Sequence, residues 1–105
     1  MRICLKLLLA GFIFATAARA DPDKATERTW KAKCAMCHAT NGKGNPDMKT
    51  QDLTAPDFQK GTTDAQIKDA IENGVKKNGG EMEPFKDSLS AAQVDSLVAY
   101  VRSLK

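Results

Sequence analysis

The pentapeptide CAMCH, at residues 34–38, constrains this chain more than any other segment. Cys34 and Cys37 are spaced i, i+3, and His38 follows directly, which is the attachment signature of a c-type haem. Each thiol adds to one vinyl group, and the two-residue gap matches the separation of the vinyls when the segment turns helically. The histidine then offers a nitrogen to the iron from the proximal side. The sequence therefore predicts one covalent haem c, with Cys34 and Cys37 as its thioethers and His38 as a metal ligand.

Two other uses of a Cys-x-x-Cys pair fit this chain poorly. A thioredoxin-like motif stands between a strand and a helix, and no strand pattern flanks residues 34–38. A structural zinc site needs four ligands, and the chain has no second Cys/His pair to complete the set. Haem attachment remains the better interpretation of the motif.

Residues 1–20 have the composition of a secretory signal peptide that is cleaved after Ala20. Arg2 and Lys6 give a positive start, residues 7–18 form an apolar run, and Ala-Arg-Ala at residues 18–20 is a small-x-small cleavage site. The alternative is an uncleaved membrane anchor, but the apolar run is short for a membrane span. We therefore expect a periplasmic protein, secreted across the cytoplasmic membrane and without stable membrane insertion after cleavage.

Cleavage would change both the cysteine count and the charge of the chain. Cys4 would leave, so that both remaining cysteines are used by the haem. The formal charge of +3 comes from 16 Lys and Arg against 13 Asp and Glu. Three of the basic residues, Arg2, Lys6 and Arg19, belong to the signal peptide and no acidic residue does, so the mature chain would have 13 of each and no net charge. A neutral mature chain gives no indication of nucleic-acid binding.

Residues 21–105 form one small domain, which we expect to be all-α, with three to four helices wrapped around the haem. A first helix is predicted over residues 23–34, after Pro22. Capping boxes at Thr63 and Ser90 begin two more helices, one ending at Gly74 and one covering residues 91–104. A chain this short buries limited apolar surface, so the macrocycle is expected to supply part of the core.

The sixth ligand of the iron is predicted to be Met82. His38 is the only histidine, which excludes a second histidine within one monomer. Met36 lies too close to His38 to reach around the ring, whereas the glycines at 79 and 80 let the backbone that carries Met82 swing across the distal face. Met48, or an open site, remains the alternative.

These features together resemble the class I c-type cytochromes, in their small bacterial monohaem branch. The resemblance rests on CAMCH, on the loop of residues 79–83 around Met82 (the methionine loop) followed by Pro84 and Phe85, and on LVAYV at residues 97–101. It implies that the aromatic ring four residues before the first cysteine, Trp30, packs on the last helix, with Tyr100 as an edge-to-face partner.

The resemblance also implies a bond between the second nitrogen of the ligating histidine and a loop carbonyl. Pro46, or Asn45 beside it, would supply that carbonyl. The chain departs from the family's pattern at two positions. Thr26 replaces a common glycine, which implies a wider or shifted helix crossing, and Glu83 separates the methionine from the proline.

The function predicted from these residues is single-electron transfer by a monomer that is not an enzyme. Its partners would be redox proteins: a reductase, and an oxidase or other electron acceptor. They would dock at an exposed haem edge that is surrounded by four lysines, Lys33, Lys76, Lys77 and Lys86. The alternatives are a peroxidase-type or sensor domain with an open distal site, and a haem subunit dedicated to one oxidoreductase.

Overall fold

The computed structural model describes residues 23–77 and 79–105, so the predicted signal peptide lies outside the described residues. Five α-helices form within them: α1 (Lys24–Lys33), α2 (Ala35–His38), α3 (Pro56–Gly61), α4 (Asp64–Asn73) and α5 (Ala91–Ser103). A short 3-10 helix, Pro46–Met48, separates α2 from α3. Strands β1 (Val75–Lys77) and β2 (Gly80–Met82) pair between α4 and α5. None of the helices in these two ranges is long and apolar enough to cross a membrane.

The two predicted capping boxes are confirmed at the starts of α4 and α5. The Thr63 hydroxyl accepts the Gln66 N–H, and the Gln66 side chain accepts the Thr63 N–H in return. Ser90 and Gln93 form the same reciprocal pair. Each satisfies two N–H groups that a helix leaves without an internal partner.

Gly74 ends α4, as predicted, with a positive φ of 77°. A Cβ at this position would lie 2.5 Å from the main-chain oxygen of Met82, so the close approach as well as the backbone conformation requires glycine. The end of α4 and the end of β2 are therefore in direct contact.

The hairpin between α4 and α5 is an element that the sequence analysis missed. Its strands are antiparallel, and Val75 pairs with Met82, Lys76 with Glu81 and Lys77 with Gly80. Strands of three residues are too short to show an alternating pattern. The fold is thus mostly helical with a small sheet. It has five helices instead of three to four because α2 and α3 are short segments of four and six residues.

The core lies where α1 and α4 pack against α5. Its buried hydrophobic side chains come from these helices and from the intervening loops: Trp30, Leu53, Ile67, Ile71, Phe85, Leu89, Val94, Leu97, Val98 and Val101. The segment after β2 is fastened to α4, since the Phe85 N–H donates to the Ile71 carbonyl at 2.9 Å and the Lys86 N–H donates to Glu72 at 3.1 Å.

The contact between Trp30 and Tyr100 is confirmed, but its predicted angle is wrong. The ring centroids are 4.9 Å apart and the ring planes meet at 33°, so the pair is tilted rather than edge-to-face. Thr26 is buried at the crossing of α1 and α5. A groove of about 150 Å³ lies beside it, lined in part by Thr29 and Ser96. The effect of Thr26 on the width or position of the crossing stays a prediction.

Candidate haem-attachment site

The attachment motif forms one helical turn. Cys34 lies between α1 and α2, and its carbonyl accepts the N–H groups of Cys37 at 3.2 Å and of His38 at 2.9 Å. Side chains three and four positions apart on a helix are neighbours on one face. The helical turn that the two-residue gap requires is therefore present, and it places Cys34 on the same helix face as Cys37 and as His38.

The two cysteines are free and half-buried. Cys34 packs against the hydrophobic core, and burial raises the pKa of its thiol to about 11. At neutral pH this thiol is therefore neutral and has an apolar surrounding. An apolar surrounding suits a side chain that would carry the edge of an apolar macrocycle.

His38 is held as a neutral imidazole, because burial lowers its pKa. Its Nδ1 atom is buried and has no hydrogen-bond partner among the described residues. A neutral imidazole has one ring nitrogen with a lone pair to offer to a metal. The residues present therefore fit a covalent haem: two thiols for the vinyl groups and one imidazole for the iron.

The loop carbonyls expected to face His38 are used elsewhere. The Asn45 carbonyl accepts the N–H of Met48 at 3.0 Å, and the Pro46 carbonyl accepts the N–H of Lys49 at 3.1 Å. The expected bond to His38 is absent here, since its Nδ1 has no hydrogen-bond partner among the described residues.

Thr50 is a site residue that the sequence analysis did not identify. Its Oγ1 lies 2.5 Å from the Cys37 carbonyl, to which it donates, and it accepts the Asn45 N–H at 2.6 Å. The hydroxyl thus joins α2, the attachment helix, to the loop that follows it. A threonine in a polar loop carries no motif that would have singled it out.

The residue after the motif, Ala39, has a positive φ of 65° with ψ at 161°. This backbone region is sparsely populated by residues other than glycine and costs about 1–3 kcal/mol. Its carbonyl accepts the Trp30 indole N–H at 3.2 Å and the Gly42 N–H, also at 3.2 Å. The buried Trp30 therefore helps to stabilise the change of backbone direction at Ala39, where the chain leaves α2.

The three methionines of the described residues have different environments. Met36 is 83% exposed and Met48 is 44% exposed. Met82, in β2, is half-buried and packs against the same core cluster as Cys34. Of the three thioethers, that of Met82 shares the hydrophobic surroundings of the attachment site.

A mostly helical fold with a single CAMCH turn defines a c-type cytochrome. Comparison with known families agrees, because residues 21–101 match the family described as cytochrome c oxidase, cbb3-type, subunit III. The chain belongs to this family of c-type cytochromes, and the family resemblance seen in the sequence is confirmed.

Two curated relatives show different extents of similarity. The FixP subunit of the cbb3-type cytochrome c oxidase of Azorhizobium caulinodans is 37% identical over 73 residues, covering 70% of this chain and 24% of that protein. The chain thus spans about a quarter of the length of the FixP relatives that it matches. Cytochrome c6 of Picosynechococcus is 31% identical over 106 residues, covering 96% of this chain and 89% of the relative.

Solved structures show the same fold. The KustC0563 c-type cytochrome is 25% identical, with a TM-score of 0.66 over 76% of this chain and 96% of its own. The c-type cytochrome XoxG from Methylobacterium extorquens AM1 has a TM-score of 0.61 at 22% identity, over 75% of this chain and 47% of its own, and shows the fold alone. The cofactor of the chain is accordingly a covalently bound haem c with its iron, as the motif predicts.

Proposed function

We propose that this protein is a periplasmic electron carrier with one haem c, whose iron is held by His38 and Met82. The observation that carries the proposal is that Cys34, Cys37 and the neutral imidazole of His38 lie within one helical turn. When bound, the haem supplies a one-electron couple between ferric and ferrous iron. The protein contributes ligand choice, burial and orientation.

Met82 is proposed as the second ligand because of its surroundings. It is half-buried against the core, and it ends a strand whose neighbours are fixed by the contact with Gly74. A thioether ligand stabilises the ferrous form and raises the potential. With two side-chain ligands, each on a segment held by its own contacts, the iron would keep the same ligands in both oxidation states. Electron transfer would then need little structural change.

An enzyme with an open distal site is the weaker alternative. Peroxide chemistry at a haem usually uses a distal histidine or arginine. His38 is the only histidine, and Arg102 is engaged elsewhere, because its Nε lies 2.5 Å from Asp64 and it donates to the main chain of Gln59 and Thr62. Arg28 lies on α1, away in sequence from the methionine loop.

A second role is favoured by the family match. The FixP relatives are oxidase subunits by name, so this domain could deliver electrons within one such assembly. The cytochrome c6 relative, which matches over nearly the whole length of both chains, favours an independent monomeric carrier. We take the independent carrier as the leading proposal.

The carbon monoxide spectrum tests the closed distal site. We expect the absorption spectrum of the reduced protein to stay unchanged when carbon monoxide is added, since a ferrous iron with both axial positions filled has no place for the gas. Met82→Ala is the positive control and should bind the gas. Ready binding by the wild type would favour the sensor or peroxidase-type alternative.

The mature protein is expected to begin at Asp21 and to carry one covalent haem. The cleavage site at residues 18–20 and the single CAMCH motif motivate this, and the family match begins at residue 21. The intact mass of protein secreted by a host with haem-attachment machinery measures both. A mass that includes Cys4, or one without haem, would contradict the prediction.

The proposed docking surface for redox partners is the lysine-rich side of the hairpin. Lys76 and Lys77 are exposed on β1, and Lys33 at the end of α1 and Lys86 after β2 are exposed as well. The Lys76 ammonium lies 3.7 Å from Glu81, so its charge is partly balanced. Among the ion pairs of the described residues none includes Lys77, which makes it the stronger source of positive potential.

Reversing these charges should slow electron transfer to an acidic partner. We expect Lys77→Glu to reduce the bimolecular rate at low salt more than Lys76→Glu does, and both differences to shrink as the Debye length falls to about 8 Å at physiological salt. The measurement is the rate of transfer against ionic strength. Lys24→Glu, at the start of α1, is the matched control. An unchanged rate and salt slope in both hairpin variants would remove these lysines from the docking surface.

A further inference from the structure

We propose that Lys49 and Thr50 form a bridge that holds the methionine loop closed against the attachment helix, and so control how readily the sixth ligand position opens. The inference rests on the proposed ligation by His38 and Met82. It assigns to these two residues a positioning role, since neither is proposed to contact the iron.

One end of the bridge is the hydroxyl of Thr50. It donates to the Cys37 carbonyl at 2.5 Å and accepts the Asn45 N–H at 2.6 Å. Both partners are main-chain groups, and Cys37 directly precedes His38. The position of residue 50 is therefore tied to the backbone of the attachment helix.

The other end of the bridge is the main chain of Lys49. A Cβ placed on Gly80 would lie 3.2 Å from the Lys49 main-chain oxygen, and one placed on Gly79 would lie 2.8 Å from its Nζ. The glycines of the methionine loop thus pack directly on Lys49. Gly80 begins β2, the strand that ends at Met82, two residues away.

The backbone at the centre of the bridge has a specific shape. Lys49 has a positive φ of 55°, in the left-handed region, where it ends the 3-10 helix. This conformation turns the chain, so that consecutive residues contact different segments. Thr50 contacts the attachment helix, and Lys49 contacts the methionine loop. A displacement at either contact would loosen the connection between the two ligand-bearing segments.

Imidazole binding to the ferric protein measures opening of the methionine loop, because external imidazole competes with Met82 for the iron. Thr50→Val removes the hydroxyl at nearly constant volume, and Gly80→Ala pushes against the Lys49 oxygen from the other side. We expect each to tighten imidazole binding about three- to tenfold, the effect of losing one intramolecular hydrogen bond or a contact of similar strength. Thr50→Ser keeps the hydroxyl and should bind imidazole as the wild type does.

Matched controls separate the bridge from general destabilisation. Thr54→Val removes a hydroxyl that bonds Asp52, and Gly61→Ala adds a methyl group that meets no atom within 4 Å. Val94→Ala weakens the core from α5. These three should leave imidazole affinity close to that of the wild type, although Val94→Ala should lower the thermal unfolding midpoint measured by circular dichroism.

The outcomes distinguish the bridge from the ligation on which it rests. Equal imidazole affinity in the wild type and Met82→Ala would contradict ligation by Met82, and the bridge with it. Tighter binding in Met82→Ala, with wild-type affinity in both Thr50→Val and Gly80→Ala, would overturn the bridge alone. So would a rise in Val94→Ala as large as that in the bridge variants.

Discussion

Replacing both Cys34 and Cys37 with serine will remove the haem and most of the helical structure from the secreted protein. The domain is small, and a chain of this size buries too little apolar surface to be more than marginally stable alone. Its core reaches the attachment site through Trp30, Cys34 and Met82. Without the macrocycle these side chains lose the apolar partner that we propose for them. Far-ultraviolet circular dichroism and haem absorption of the purified double variant measure the two losses.

The single variants provide the control for this experiment. Cys34→Ser or Cys37→Ser alone leaves one thioether and the His38 ligand, so each should keep haem and most of its helix content. Native-like helix content in the double variant without haem would show that the polypeptide core is sufficient, contrary to the structural role proposed for the cofactor.

The longer helices were predictable because their signals are local. The starts of α4 and α5 depend on reciprocal bonds between residues three apart, and these residue pairs can be recognised in the sequence. The end of α4 was predictable for the same reason, since glycine adopts the positive φ that commonly ends a helix and Gly74 directly follows the last helical residue. Asp23 likewise begins α1 by accepting the Thr26 N–H at 2.7 Å, and hydrogen bonds from the Thr26 side chain and main chain hold the pKa of Asp23 below its usual range.

The loops were less predictable because their contacts are between distant residues. The hairpin has strands of three residues, and its position depends on the packing of Gly74 on Met82 and of Gly80 on Lys49. The hydrogen bond from Thr50 to Cys37 spans 13 positions. No local pattern specifies such contacts.

The attachment site was predictable to different depths. Cys34, Cys37 and His38 lie within one helical turn, so spacing alone predicts that they come together. The hydrogen bond expected from the second nitrogen of His38 to Asn45 or Pro46 is not formed, because its geometry depends on the loop after the motif rather than on spacing within one turn. Met82 lies far from His38 in the sequence, and its role as a ligand stays a prediction.

Met82→Ala will lower the reduction potential and shift the ferric iron toward high spin. Methionine stabilises ferrous haem, and its loss leaves the sixth position to water or to nothing. Axial ligands and their surroundings spread haem potentials over about 0.8 V, so we expect a fall of roughly 0.1 V or more. Redox titration gives the potential, and the absorption spectrum of the ferric protein gives the spin state.

Two matched truncations decide whether this effect belongs to Met82. Met48→Ala and Met36→Ala remove the same thioether from positions that are 44% and 83% exposed, and we expect each to leave the potential and spin state nearly unchanged. Met48 is the informative control, because it lies on the 3-10 helix next to Lys49, whose main chain contacts the methionine loop. If Met48→Ala lowered the potential and Met82→Ala did not, the loop after the attachment helix would carry the ligand. The hairpin would then serve only to cover that loop.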